Sequence, residues 1–207
     1  KKYHIVFDID DVLCREVSGN QKWIADTYSG VEILKWQIND MEAKTYFCYP
    51  DFDKLVMAVS SWGGWSVDFF SAEVSDRNEQ IIPNYFINKL GHELYNQLTD
   101  SGSLNIFSKH HLTRQETSVP GSYSLVKDLK IVTKDIDNAV LVDDTVSNAA
   151  KNQEQMIGLS IEASKEIVKM VEAREDRTQE MSYNPLNNAQ YVMGILLDAK
   201  KLLDSGL

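Results

Sequence analysis

The sequence predicts an α/β protein built on a doubly wound, mostly parallel sheet of the Rossmann-like kind. Short, mostly apolar runs recur at Tyr3–Phe7, Ser66–Phe70 and Ala139–Val142, and stretches with helical spacing separate them. Each of those runs ends abruptly on polar groups: Asp8, Asp10 and Asp11 after the first, Ser71 after the second, Asp143 and Asp144 after the third. Short apolar runs of this kind read as strands buried on both faces. Strands separated by helices imply parallel pairing with right-handed crossovers. Ligands of such sheets bind at the carboxyl ends of the strands, where the polar groups fall.

The chain has 207 residues, with 21 basic against 31 acidic side chains and 43% apolar content. That composition supports a real hydrophobic core. It does not support a nucleic-acid partner, because phosphate gripping needs clustered Lys and Arg. No apolar run approaches the roughly 20 residues a membrane-spanning helix requires. Cys14 and Cys48 are too few for a disulfide framework and fit a reducing, cytoplasmic setting.

Taken in order, the first strand runs into three carboxylates within four positions, an arrangement that needs a shared cation or proton to be stable. With extended backbone, Asp8 and Asp10 face one ligand and Asp11 points away. A calcium loop of the EF-hand type is excluded, since Leu13 stands where its Gly belongs and Gly19 where its Glu belongs. Gly19-Asn20 marks a turn. Val31–Ile38 and Lys44–Tyr49, joined at Asn39-Asp40, read as a β-hairpin inserted at about residues 29–49. Asp51 caps a helix with Phe52, Leu55, Val56 and Val59 inward. Trp62 and Trp65 flank a Gly-Gly turn at the end of the sheet opposite Asp8 and are read as packing.

A helical stretch follows from Asp76 to Asp100, interrupted at Pro83, then a short strand at Leu104–Phe107. His110 and His111 fall in a polar loop with no third ligand nearby, so a zinc site is not expected. Ser124–Asp135 reads as a helix with Leu125, Leu129 and Val132 inward. Its first turn would lie at the strand-exit edge, which selects Lys127 over Lys130 and Lys134 as the cation there. Beyond Gly158, two amphipathic segments are divided by Asn184-Pro185. The expected organisation is a core over residues 1–158 and C-terminal helices over 159–207, packed on the core or leading to a further domain.

Two aspartates facing one ligand, a second aspartate pair, a hydroxyl and one lysine balance electrostatically only with a hard cation such as Mg2+ and a phosphate. Asp8 would attack phosphorus as a carboxylate. Asp10, held neutral by its charged neighbours, would protonate the leaving oxygen and later activate water. Ser71 and Lys127 would hold the phosphate.

FDIDDVL, VDFFSAE, SLVKDL and AVLVDDT resemble, in order, the four motifs of the haloacid dehalogenase (HAD) superfamily of aspartate phosphatases. The resemblance implies Asp8 as nucleophile, Asp10 as acid/base, and Ser71 and Lys127 as phosphate contacts. It implies Mg2+ held by Asp8, the Asp10 main-chain carbonyl and Asp143, with Asp144 a ligand or an orienter of one. Within the superfamily the chain is most similar to the small C-terminal-domain phosphatases, the NLI-interacting-factor-like branch, which act on phosphoprotein. Val12 stands where these usually carry Thr, and Asp144 where they often carry Asn. A fainter similarity, to bacterial effector phosphatases delivered into host cells, points to phosphotyrosine. The gaps between motifs leave no room for a lid domain, which implies a capless cleft open to a peptide. The rival readings are a small-metabolite phosphatase and a non-catalytic phospho-binding or receiver-type module. The receiver order of acids, hydroxyl and lysine does not match this chain.

Overall fold

The computed structural model describes residues 1–18, 23–150, 153 and 155–206. The turn expected at Gly19-Asn20 lies outside them. In chain order the elements are β1 (Tyr3–Phe7), β2 (Cys14–Val17), α1 (Ile24–Thr27), β3 (Glu32–Asn39), β4 (Glu42–Cys48), α2 (Phe52–Ser61) and β5 (Trp65–Phe70). Then come α3 (Ser75–Leu90), α4 (His92–Asp100), β6 (Leu104–Phe107), β7 (Thr113–Glu116), β8 (Tyr123–Val126) and β9 (Ala139–Asp143). The chain ends with β10 (Met156–Gly158), α5 (Ile161–Ala173) and α6 (Asn188–Asp204).

The central sheet is parallel, in the order β10-β9-β1-β5-β6. The chain steps outward from β1 to β5 and β6, then crosses back to β9 and β10. The order therefore reverses at β1, and the crevice outside its carboxyl end is the place such sheets offer a ligand. Strand alternation divides the side chains. Ile5, Phe7, Val67 and Phe69 face a large core shared with Phe52 and Val56 of α2, Ile81, Tyr85 and Phe86 of α3, Ile167 of α5 and Val192 of α6. Val6, Phe70 and Leu141 face the other side, where Leu129, Val132 and Ile136 cover them.

That second cover is where the structure departs from the expected helix over Ser124–Asp135. Tyr123–Val126 instead pairs antiparallel with Thr113–Glu116, and only short 3-10 turns follow at Leu129–Ile131 and Ile136–Asn138. The period there is two, not 3.6: Leu125, expected inward, is 55% exposed, while Val126 is buried. The hairpin β3–β4 gains a third strand, β2, which its polar sequence did not announce. Pro83 does not interrupt α3, because buried Ile81, Ile82, Tyr85 and Phe86 hold the helix through the one missing N–H. The break falls at Gly91, where φ is +83°, a conformation glycine adopts without strain. Trp65 packs on Tyr3 and Trp62, with ring centroids 4.7 and 5.3 Å apart. No described helix is long and apolar enough to cross a membrane.

Ile167 on α5 is fully buried in the core that also holds Phe7 and Phe69. Ile167→Ala is expected to lower unfolding free energy by about 2–5 kcal/mol. Urea denaturation should show one shifted transition; a separate early step that leaves the rest of the curve in place would mean that α5 folds independently.

Candidate active site

The parallel register pairs Phe7 with Val142, so the next residue on each strand, Asp8 and Asp143, emerges on the same sheet face. The Asp8 N–H donates to the Val142 carbonyl at 2.8 Å and fixes that exit. Asp8 is 6% exposed and Asp143 fully buried. Between them lies the Lys127 ammonium, 2.8 Å from Asp8 Oδ1 and 2.7 Å from Asp143 Oδ2, and itself buried. Lys127 reaches this point from the end of β8 rather than from a helix. Its N–H donates to the Asn148 carbonyl at 2.7 Å, and its own carbonyl accepts from Gln153 Nε2 at 3.1 Å. Asp143 also accepts from the Thr145 N–H and from Asn148 Nδ2.

Asp144 completes a group. One oxygen from each of Asp8, Asp143 and Asp144 lies within 4.8 Å of the others, the one such group among the described residues. Three carboxylates against one lysine leave the site short of positive charge. Burial pushes Asp8 well above the usual carboxylate range, against the pull of Lys127. Burial and the adjacent Asp143 push Asp144 up to about 6. Burial alone would lower Lys127, but Asp8 and Asp143 outweigh it and hold the ammonium above its ordinary value. The donor set fits a hard divalent ion: all oxygen, acidic, and only slightly wider than the roughly 4.2 Å that opposed ligands span on bonds of about 2.1 Å.

Asp10 stands on the other side of the exit. Its carboxylate is held by Arg77, with Nη1 to Oδ1 and Nη2 to Oδ2 both at 2.7 Å. The Ser71 hydroxyl donates to Asp10 Oδ2 at 3.3 Å and accepts from Arg77 Nη2 at 2.9 Å. Arg77 is fully buried on α3, its Nε donating to Asn78 Oδ1, and its Cζ lies 5.4 Å from the centroid of the Tyr46 ring. Asp11, between the two carboxylate sites and the next strand, adopts φ of +63° and pairs with Arg15.

A family model described as NLI interacting factor-like phosphatase matches residues 3–161. The chain belongs to that family. Among solved structures it is similar to Fcp1, titled an essential RNA polymerase II CTD phosphatase, at 12% identity and a TM-score of 0.51. That alignment covers 95% of this chain and 62% of the other. It is also similar to a variant of fission yeast Fcp1 bound to beryllium fluoride, at 14% identity, a TM-score of 0.46, and coverage of 96% and 56%. The chain thus spans less than two thirds of either protein. No curated protein matches the sequence. The likeness to Fcp1 places the parallel sheet in the Rossmann-like HAD fold.

All six residues singled out from the sequence lie at the carboxyl edge of the sheet, but in two groups: Asp8, Lys127, Asp143 and Asp144 around one, Asp10 and Ser71 around the other. The nearest partner of Asp10 is a guanidinium, not the negative charge expected beside it. Arg77 was not among the residues singled out. Its signal was its place on the inward face of α3, in register with Ile81 and Tyr85, where a buried cation demands an anion.

Arg77→Met keeps side-chain bulk but releases Asp10. Turnover of para-nitrophenyl phosphate is expected to fall on the order of 10²-fold, mainly in kcat. Arg77→Lys should not restore it, since one ammonium cannot occupy both oxygens. Steady-state kinetics of the three proteins decides this.

Proposed function

We propose that this chain is a Mg2+-dependent phosphoprotein phosphatase that works through an aspartyl-phosphate on Asp8, with phosphotyrosine as the preferred substrate. The observation that carries the reading is Lys127 bonded to both Asp8 and Asp143, with Asp144 alongside and Asp10 held a short way off by Arg77 and Ser71.

Asp8 Oδ attacks phosphorus, and the bond from phosphorus to the ester oxygen breaks. That oxygen leaves with a proton from Asp10. Oδ2 accepts from both Arg77 and Ser71, but Oδ1 keeps a second lone-pair site beyond the one Arg77 occupies, so the pairing aims the carboxyl and leaves that oxygen for proton exchange. Asp10 then takes a proton from water, whose oxygen attacks phosphorus and releases Asp8 and inorganic phosphate. Lys127 neutralises charge on the phosphoryl oxygens, and the Ser71 hydroxyl, whose one proton goes to Asp10 in the free protein, turns it to the phosphate when substrate binds. Asp8, Asp143 and Asp144 would hold Mg2+, which supplies the missing positive charge and keeps Asp8 ionised.

The substrate class rests on access. Asp10 retains 41% side-chain exposure, and among the described residues the elements form no separate lid domain, so a segment of a protein can enter. Asp8 lies deeper, at 6% exposure. A phosphotyrosine carries its phosphate further from the peptide backbone than a phosphoserine and reaches that depth more readily. Phosphopeptides should therefore be better substrates than sugar phosphates, and phosphotyrosine peptides better than phosphoserine ones.

Asp8→Asn should reduce hydrolysis of para-nitrophenyl phosphate to background while circular dichroism and melting remain those of a folded protein; residual turnover would assign the nucleophile elsewhere. Mg2+ at a hundredfold over its Kd should stabilise the native protein by about 2.7 kcal/mol. Asp143→Asn should lose most of that gain in a thermal-shift titration.

A further inference from the structure

Beside the carboxyl edge, next to Asp143, lies a slot of about 330 Å3 lined by Gly158, Leu159, Ser160, Tyr183 and Tyr191. We propose that this slot is a substrate subsite that takes an apolar, preferably aromatic, side chain within two residues of the phosphorylated one. The inference rests on the phosphatase reading above.

The slot adjoins the strand that ends on Asp143. Gly158 pairs in register with Asp143, and the Leu159 N–H donates to the Asp143 carbonyl at 3.1 Å. Its inner wall is thus one strand spacing, about 4.8 Å, from the backbone of Asp143. Both helices that flank it are tied to the loop after Asp10. On α5, Ser164 Oγ donates to the Asp11 carbonyl at 3.1 Å. At the start of α6, Asn188, 1% exposed, donates Nδ2 to the Val12 carbonyl at 2.9 Å. The Tyr183 hydroxyl donates to Oδ1 of the same Asn188, so that ring is anchored to the frame of the site.

The chemistry of the walls selects the occupant. Tyr183 and Tyr191 meet edge to face, with centroids 6.0 Å apart at 90°. Tyr191 leaves 48% of its surface exposed. A further ring can stack on such a pair, and an aliphatic side chain can pack against it and Leu159. Gly158 on β10 lies two strand spacings, about 9.6 Å, from Asp8 at the end of β1, and an extended peptide advances about 3.3 Å per residue, so a side chain two positions from the phosphorylated residue reaches the slot with its own length added. Tyr183 and Tyr191 also lie beyond residues 3–161, the part that matches the family model. The family match therefore gives the aromatic wall no role of its own.

The test uses the full chain with Mg2+ and phosphotyrosine peptides carrying Phe, Leu or Gly at each of the two positions on either side. At one position Phe should exceed Gly by about tenfold in kcat/KM, chiefly through KM. Tyr191→Ala should bring that ratio near one, and Tyr191→Phe should keep it. Gly158→Leu gives a second route: a Cβ there meets nothing within 4 Å, so the side chain can enter the slot, and the ratio should again collapse. This variant decides the matter if Tyr191→Ala is inactive on every peptide. No positional preference, or one that survives both slot variants, overturns the subsite alone. Absence of turnover of para-nitrophenyl phosphate by the unmodified chain overturns the phosphatase reading and the subsite with it.

Discussion

Lys127 gives up nearly all its hydration to lie between Asp8 and Asp143, and much of the surrounding architecture can be traced to that placement. A buried ion pair returns its desolvation cost only when geometry is good and the remaining hydrogen-bonding sites are filled. Here most are filled: Asp143 accepts from Lys127, the Thr145 N–H and Asn148, while Asp8 Oδ1 accepts from Lys127 and the Ile9 N–H. The lysine backbone is fixed in turn by Asn148 and Gln153. The parallel register of β1 and β9 brings two acids together that would repel in isolation, and the loop after β8 delivers the cation that makes the pairing tolerable. One more acid, Asp144, leaves a charge deficit, and a deficit of that sign invites a cation.

The sheet is covered unevenly as a result. Helices α2, α3, α5 and α6 bury the face that carries Phe7 and Phe69. The opposite face, which carries Val6, Asp8, Phe70 and Asp143, has only a small cluster beneath short turns. There a strand end and a 3-10 turn let a lysine side chain approach two carboxylates directly. The lighter cover is thus consistent with the demand for a reachable cation on that face.

What the sequence disclosed follows the same division. Asp8, Asp143 and Ser71 were legible because apolar β-branched and aromatic runs stop abruptly at polar residues, a contrast that survives any error in strand boundaries. Lys127 was legible through its position at the right edge, although the local structure assigned to it was helical. Leu125, Leu129 and Val132 fit a helical stripe, and only the pairing of Tyr123–Val126 with the distant Thr113–Glu116 makes that stretch extended; a pairing partner is not a local property. The same reason hid β2, whose residues Cys14–Val17 acquire a strand role only through β4. Arg77 was hidden differently. A charged residue in the first turn of a helix reads as solvated, and its burial depends on an anion, Asp10, that arrives from another part of the chain.

The segment beyond the family-matched residues bears on the site through backbone rather than charge. Asp11 occupies the left-handed region, uncommon for a residue with a side chain, and a conformation of that sort persists when its surroundings hold it. Two of the groups that hold it come from α5 and α6: Ser164 on the Asp11 carbonyl and Asn188 on the Val12 carbonyl. Ser164 is in turn bonded to the buried Tyr49 hydroxyl, which ties the inserted sheet to the same point. The loop that sets the direction of Asp10 is therefore fixed from three directions, by the inserted sheet, by α5 and by α6. A carboxyl that must exchange a proton with a leaving group needs its position held to within about 0.5 Å and its angle to within about 10–20°. Helices that read as an appendage in the sequence supply part of that constraint.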